Sequence, residues 1–292
     1  MSIGIIGGSG LYEWGALKDG QWMDVRTPWG NPSDQILKGT LDGKEVFFIP
    51  RHGRGHRLLP SEINYRANIH ALKQLQVDGI ISVTAVGSLH ENIRPRDVLI
   101  PDQYFDRTRS SPQHTFFGSG IAGHVSLGDP VCPFLHKLLG DIATQVRDSS
   151  DAFSDRKVHR AGTYVNMEGP AFSTRAESEF YRRQGFEIIG MTSLPEARLA
   201  REAELPYAAL ALITDYDCWH REEGHVTAEM VSGHVRANTA FAQAILQGVV
   251  GQLPDGFPSA ARTALIGAVM TDPSAIPPDT LKKVAWVEAR MG

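Results

Sequence analysis

Thr214-Asp215-Tyr216-Asp217 closes the most apolar run of the chain, Ala208 to Ile213, and sets two carboxylates two residues apart beside apolar neighbours. Mutual repulsion and poor solvation both raise the apparent pKa of such a pair, so a proton held near neutrality can serve as a general acid. An exposed acidic turn or a helix cap would use the same residues. Arg51-His52-Gly53-Arg54-Gly55-His56 follows the run Val46–Ile49 and Pro50. The forked donors of arginine suit a dianion there; a solvated basic loop has the same composition. Gly7-Gly8-Ser9-Gly10 reads either as a plain tight turn or as a loop whose backbone can approach an anion, with Ser9 adding a hydroxyl. It is neither a dinucleotide fingerprint nor a P-loop, since no glycine stands three residues after Gly10 and the Gly-Lys-Ser/Thr ending is missing. Thr84-Ala85-Val86-Gly87-Ser88 ends a further run and offers another hydroxyl with backbone donors.

Two more clusters share this position after apolar runs. Asn166 to Ser178 carries Phe172, and Gly190-Met191-Thr192-Ser193-Leu194-Pro195-Glu196 carries a thioether and hydroxyls. An aromatic ring, a thioether and paired carboxylates suit a flat ligand with a polar edge. In α/β sheets ligands bind outside the carboxyl ends of the strands. Convergence of these clusters on one cleft therefore predicts a functional site for a phosphate-bearing ligand.

The elements that must position them alternate. Strands are expected at Ile3–Ile6, Glu45–Ile49, Gly79–Val83, Asp97–Ile100, Gly162–Val165, Glu187–Ile189 and Ala208–Ile213. Continuous apolar strands of this kind suit a sheet covered on both faces. Leu135, Leu138, Leu139, Ile142, Ala143 and Val146 follow the spacing of one helical stripe. Further helices are expected from Ser61 to about Gln76, after capping boxes at Thr174/Glu177 and Ser193/Glu196, and along Met230 to Val249. The pattern predicts an α/β fold: one domain over residues 1–292, with a mixed, mostly parallel central sheet flanked by helices and a C-terminal helical extension from about 253. Asp102 to Pro133 reads as a long excursion, a kind of segment that is usually functional or interfacial.

Composition narrows the partners. The chain has 292 residues, 42% of them hydrophobic, and 29 Lys plus Arg nearly balance 33 Asp plus Glu. With the basic residues scattered, neither nucleic acid nor an anionic membrane is expected as a partner. Cys132 and Cys218 match no metal-ligand spacing and read as reduced thiols. No secretory segment opens the sequence and no apolar run is long enough to span a bilayer, so the expected location is the cytoplasm.

From Ile3 to about Val249 the sequence resembles the nucleoside phosphorylases, in particular the methylthioadenosine phosphorylase family. The likeness is carried by Gly7-Gly8-Ser9-Gly10-Leu11, Arg51-His52-Gly53-Arg54, Val83-Thr84-Ala85-Val86-Gly87-Ser88-Leu89, Glu168 to Ser178, Met191-Thr192 and Thr214 to Trp219. The resemblance implies phosphorolysis of S-methyl-5′-thioadenosine to adenine and 5-methylthioribose 1-phosphate, a salvage reaction. Phosphate is the co-substrate, and neither a metal nor an organic cofactor is implied. Ser9, Arg51, His52, Thr84, Ala85 and Thr192 would form the phosphate pocket. Phe172 would pack on the base, Met191 on the ribose, and Asp215 and Asp217 would address the purine edge, with Asp215 catalytic. Val226 and Val231 would line the methylthio pocket or else belong to helix core. His124 falls where the family closes the pocket from a neighbouring subunit. A homotrimer is implied, and some relatives form hexamers. The alternatives are a purine nucleoside or methylthioinosine phosphorylase with a different base preference, and a non-catalytic nucleoside-binding protein.

Overall fold

The structure is a computed structural model that describes residues 1–290 apart from Ser9, Tyr12, Glu13, Ser110 and 221–227. Its strands are β1 (Ser2–Gly7), β2 (Lys18–Met23), β3 (Ile36–Leu41), β4 (Lys44–Pro50), β5 (Ile80–Ser88), β6 (Val98–Leu99), β7 (Gln103–Asp106), β8 (Val158–His159), β9 (Thr163–Asn166), β10 (Ile188–Gly190) and β11 (Tyr207–Asp215). They form one mixed sheet in the order β2-β3-β4-β1-β5-β10-β9-β7, with β11 paired to β5 and β6, and β8 to β6. The helices are α1 (Tyr65–Gln74), α2 (Pro133–Asp148), α3 (Arg175–Arg183), α4 (Ser193–Glu202), α5 (Ala228–Gln252), α6 (Pro278–Lys283) and α7 (Ala285–Glu288).

Side chains alternate across a strand, and here both sides are buried. Ile3 and Ile5 of β1, with Ala208, Leu210 and Leu212 of β11, pack with Leu139 and Ile142 of α2 and Phe241, Ile245 and Val249 of α5. Ile6, Tyr207 and Ala209 point the other way, into a cluster with Ile69 and Leu72 of α1 and Ala197 and Ala200 of α4. That double burial is why these strands are apolar along their whole length. The C-terminal extension joins the second cluster through Leu265, Ile276, Val284 and Val287.

Several expectations need correction. β2 and β3 carry no continuous apolar run; β2 is largely exposed and bears Lys18, Asp19 and Gln21. The excursion opens with an edge strand, β7, which pairs in parallel with β9. The helix expected from Ser61 starts at Tyr65 behind Asn64, whose side chain accepts from Ala67 N, while Pro60–Glu62 is a separate turn of 3-10 helix. The capping box at Thr174/Glu177 forms. That at Ser193/Glu196 does not: Thr192 is the N-cap, without a side-chain cap bond, and Glu196 is engaged elsewhere. The C-terminal helix is split into α6 and α7.

The excursion and the extension both dock on the end of α4. Glu202 accepts from Thr115 Oγ1 at 2.9 Å and from Phe116 N at 2.6 Å, and Trp286 Nε1 donates to its carbonyl at 3.0 Å. Burial pushes the Glu202 carboxyl up to about 7. Among the described residues, no helix is long and apolar enough to cross a membrane.

Candidate active site

β5 is where the sheet opens. On one side it pairs with β11 from Ile80 to Gly87, with one shift of register near the end. On the other it pairs with β1 only as far as Ser82, and with β10 only at Gly87 and Ser88. The backbone from 83 to 86 therefore has no strand partner on that side, and its polar groups border a cavity of about 660 Å³. Such a volume suits a small-molecule site. Thr84 and Ala85 thus sit inside the strand rather than beyond its end, and the opening exposes them to a ligand.

Arg51, His52, Thr84, Ala85, Met191, Thr192, Phe172, Asp215, Asp217 and Val231 all line this one cavity. Ser9 and Val226 lie outside the described residues. His124 does not line the cavity of its own chain: it is exposed, and its backbone N–H bonds the Ala268 carbonyl at 2.9 Å.

One end of the cavity is built at the end of β4 and at the junction of β10 with α4. The strand β10 gives way to Met191 and Thr192, and α4 begins immediately, so a helix N-terminus abuts the cavity at Thr192. The helix dipole favours negative charge at such an end, although the Leu194 N–H already donates to Asn166 Oδ1 at 3.1 Å and Pro195 carries no N–H. Arg51 leaves the end of β4, tied by its N–H to the Gly7 carbonyl at 2.9 Å, and is buried. Its Nε meets Glu196 Oε1 at 2.5 Å and its Nη2 meets Glu196 Oε2 at 3.1 Å. Burial alone would lower the Arg51 guanidinium, but the Glu196 carboxylate beside it raises it overall. Arg54 and Arg57 are not part of the cavity lining and pair with Asp34 at 2.8 and 3.6 Å. The basic cluster seen in the sequence is therefore divided between a lining and an outer surface.

His52 is held differently. Its Nδ1 lies 2.9 Å from the Leu58 carbonyl, which can only accept, and its ring stacks on His56 at 4.4 Å. Burial, reinforced by the Arg51 charge, pushes the imidazole down to about 4, so it is neutral at pH 7 with Nδ1 donating. A histidine lowered in this way binds no proton in the folded state while the unfolded chain takes one up below its ordinary value of 6.5. Its stability contribution is therefore present above about pH 6.5 and is lost as pH falls toward 4, by up to about 1.4 kcal/mol per pH unit. In urea titrations at pH 7, 6 and 5, the His52→Gln variant is expected to lose stability less steeply than the parent. Equal slopes would show that His52 does not carry this pH dependence.

The acid pair sits at the other end. The β5–β11 register shifts between Ile213 and Asp215, a bulge that turns Asp215 opposite Gly87. A Cβ at Gly87 would stand 2.7 Å from Asp215 Oδ1, so this glycine permits the close approach. Thr214 Oγ1 donates to Asp215 Oδ2 at 2.7 Å and Asp217 N donates to Oδ1 at 2.8 Å. Burial raises the Asp215 carboxyl despite these two donors. Asp217 adopts a left-handed φ of 51°, which aspartate tolerates better than most residues. Burial, with the Asp215 charge added, also raises its carboxyl, partly offset by the Ser178 hydroxyl. Asp217 Oδ2 is buried without a hydrogen-bond partner among the described residues. Ser178 Oγ, the hydroxyl that bears on this carboxyl, is likewise buried without a partner among them, so a water or a ligand donor can satisfy Asp217 Oδ2.

Between the two ends, Phe172 is 43% exposed beside the cavity and offers a ring face. Val231, Val235 and Thr239 of α5 supply wall opposite. Sequence reading placed His56 in the basic cluster and Glu196 in a capping box without giving either a site role, and it missed Gly87 as a spacer. Glu196 shares the buried face of α4 with Leu194, Ala197, Leu199 and Ala200 but also with Ser193 and Glu202, and by spacing it reads as a cap.

The chain belongs to the phosphorylase superfamily, whose family profile matches residues 2–251. The S-methyl-5′-thioadenosine phosphorylase of Synechocystis sp. is 51% identical over 284 residues, 97% of this chain and 85% of that protein. That of Thermosynechococcus vestitus is 50% identical over 289 residues, covering 99% and 98%. A crystal structure of methylthioadenosine phosphorylase from an antarctic soil metagenomic library superposes with a TM-score of 0.90 at 46% identity, covering 98% of each chain. Methylthioadenosine phosphorylase from Schistosoma mansoni in complex with adenine gives a TM-score of 0.80 at 35% identity, covering 99% and 98%.

Proposed function

We propose that this chain catalyses phosphorolysis of S-methyl-5′-thioadenosine, releasing adenine and 5-methylthioribose 1-phosphate. The observation that carries the reading is the buried, bulge-held Asp215 with its raised carboxyl, set across one cavity from the helix N-terminus at Thr192. Relatives at about half identity over nearly the whole chain bear that activity in their names.

Phosphate occupies the end formed by Arg51, His52, Thr84, Ala85 and Thr192, and Ser9 joins it. One phosphate oxygen forms a bond to the anomeric carbon as the bond from that carbon to purine N9 breaks. The sugar passes through an oxocarbenium-like state, as in glycoside hydrolysis, which the adjacent phosphate charge stabilises. Protonated Asp215 gives its proton to purine N7, so the electron pair of the broken bond leaves on a neutral base. Asp217 accepts from the 6-amino group, Phe172 packs on the ring, and Met191 lies against the ribose. Val231, with Val226, faces the methylthio group. This step needs no metal or organic cofactor.

Because Arg51 is paired and His52 is neutral, the pocket relies on hydroxyls, backbone N–H groups and one neutralised cation rather than on free positive charge. A homotrimer in the cytoplasm, or a hexamer built from such trimers, fits the reading. The exposed His124 is then the residue that closes the pocket of the adjacent subunit.

The test is an assay of methylthioadenosine, adenosine and methylthioinosine, each with and without inorganic phosphate. Phosphate-dependent adenine release, fastest from methylthioadenosine, is expected. Faster turnover of methylthioinosine would overturn the base assignment, and no turnover of any nucleoside would leave a binding protein.

A further inference from the structure

Glu196 is fully buried on α4, one turn after Thr192, and is not part of the cavity lining. Both of its oxygens are in use. Oε1 takes Arg51 Nε, and Oε2 takes Arg51 Nη2, Ser82 Oγ at 2.7 Å and Tyr207 OH at 3.2 Å. Ser82 Oγ also accepts from Arg51 Nη2 at 2.6 Å, and Arg51 Nη1 donates to the Val83 carbonyl at 2.8 Å. The guanidinium is thus gripped along its Nε/Nη2 edge, with the Ile6 carbonyl 3.5 Å from Nη2, while Nη1, which carries two N–H groups, donates one of them to Val83. Tyr207 OH continues the network to Ser193 Oγ at 2.9 Å, which meets Tyr104 OH of β7 at 2.8 Å.

We propose that Glu196 is the positioning residue of the anion pocket, acting through Arg51. This role rests on the phosphate site proposed above. A buried guanidinium stripped of its carboxylate is an uncompensated charge that must find another anion or move. Glu196 removes both options: it cancels most of the charge and holds the fork in one plane. Phosphate then meets an oriented donor whose charge is already balanced. The satisfied network around it restricts reorientation of Arg51.

The test is steady-state kinetics of Glu196→Gln, with the KM for inorganic phosphate and the KM for methylthioadenosine measured separately. Thr192→Val serves as the reference for the pocket itself. Loss of one charge-assisted hydrogen bond is expected to raise the phosphate KM about tenfold, with the nucleoside KM within about twofold. Thr192→Val raises the phosphate KM as well. If it does so while Glu196→Gln changes both KM values alike, changes only kcat, or lowers the phosphate KM because the unpaired Arg51 takes phosphate as its anion, the proposal is overturned with the pocket intact. If neither variant moves the phosphate KM, the pocket reading fails and takes the proposal with it. Should Glu196→Gln fail to fold, Ser82→Ala and Tyr207→Phe each remove one partner of Glu196. A phosphate-specific rise in either supports the proposal, and no such rise in both overturns it.

Discussion

Asp215→Asn is expected to lower kcat for phosphorolysis by about 10²–10⁴, the usual worth of a general acid, with little change in the phosphate KM. Asparagine keeps the volume and still accepts from Asp217 N, so the loss isolates the proton. The same substitution is expected to raise the melting temperature at pH 7. The Asp215 carboxyl lies above its ordinary value of 3.8 because it is buried. A raised carboxyl contributes stability that is complete below its unfolded pKa and is lost as pH rises through the folded one. At neutral pH the buried acid is therefore a cost, and the neutral amide removes it. Activity and stability move in opposite directions, a pattern common where a site holds a destabilised group. Nearly full turnover would remove Asp215 from the chemistry. A lower melting temperature would show that the bonds from Thr214 and Asp217 N outweigh the cost of burial.

Asp217→Asn is expected to reduce the preference for 6-amino over 6-oxo purines by about ten- to a hundred-fold. A buried acceptor facing a lone pair costs roughly 1–3 kcal/mol, and an amide can rotate to donate instead. The motivating feature is Asp217 Oδ2, buried and without a partner among the described residues. Asparagine tolerates the left-handed φ of 51°, so the backbone should be kept. The measurement is kcat/KM for methylthioadenosine against methylthioinosine in the parent and the variant. An unchanged ratio would mean that the base edge is read by another group.

Both predictions concern a motif that was visible in the sequence, and its visibility has a cause. β11 is buried on both faces, so Ala208 to Ile213 must be apolar throughout, and polar residues directly after such a run stand out. The same holds for Arg51 after β4 and for Thr192 after β10. Strands without that double burial stayed hidden. β2 presents Lys18, Asp19 and Gln21 to solvent, and β7 is a four-residue edge, so neither leaves a hydrophobic signature. The exposed His124 is informative only about a surface outside its own chain's cavity.

Glu196 marks the division most clearly. Its sequence position, three residues after Ser193 at a helix start, satisfies a local capping rule, and local rules are all that spacing can test. The structure places its carboxylate on Arg51, 145 residues away, and that long-range pairing displaces the cap. The amino-acid sequence by itself determined the α/β alternation and the places along the chain where polar groups emerge, because burial on both faces of a strand leaves a pattern in consecutive residues. Tertiary structure alone decided how those groups are charged and aimed. Which cation is neutralised, which histidine is lowered and which carboxyl is raised depend on solvent exclusion and on neighbours from distant segments, and neither is written in local order.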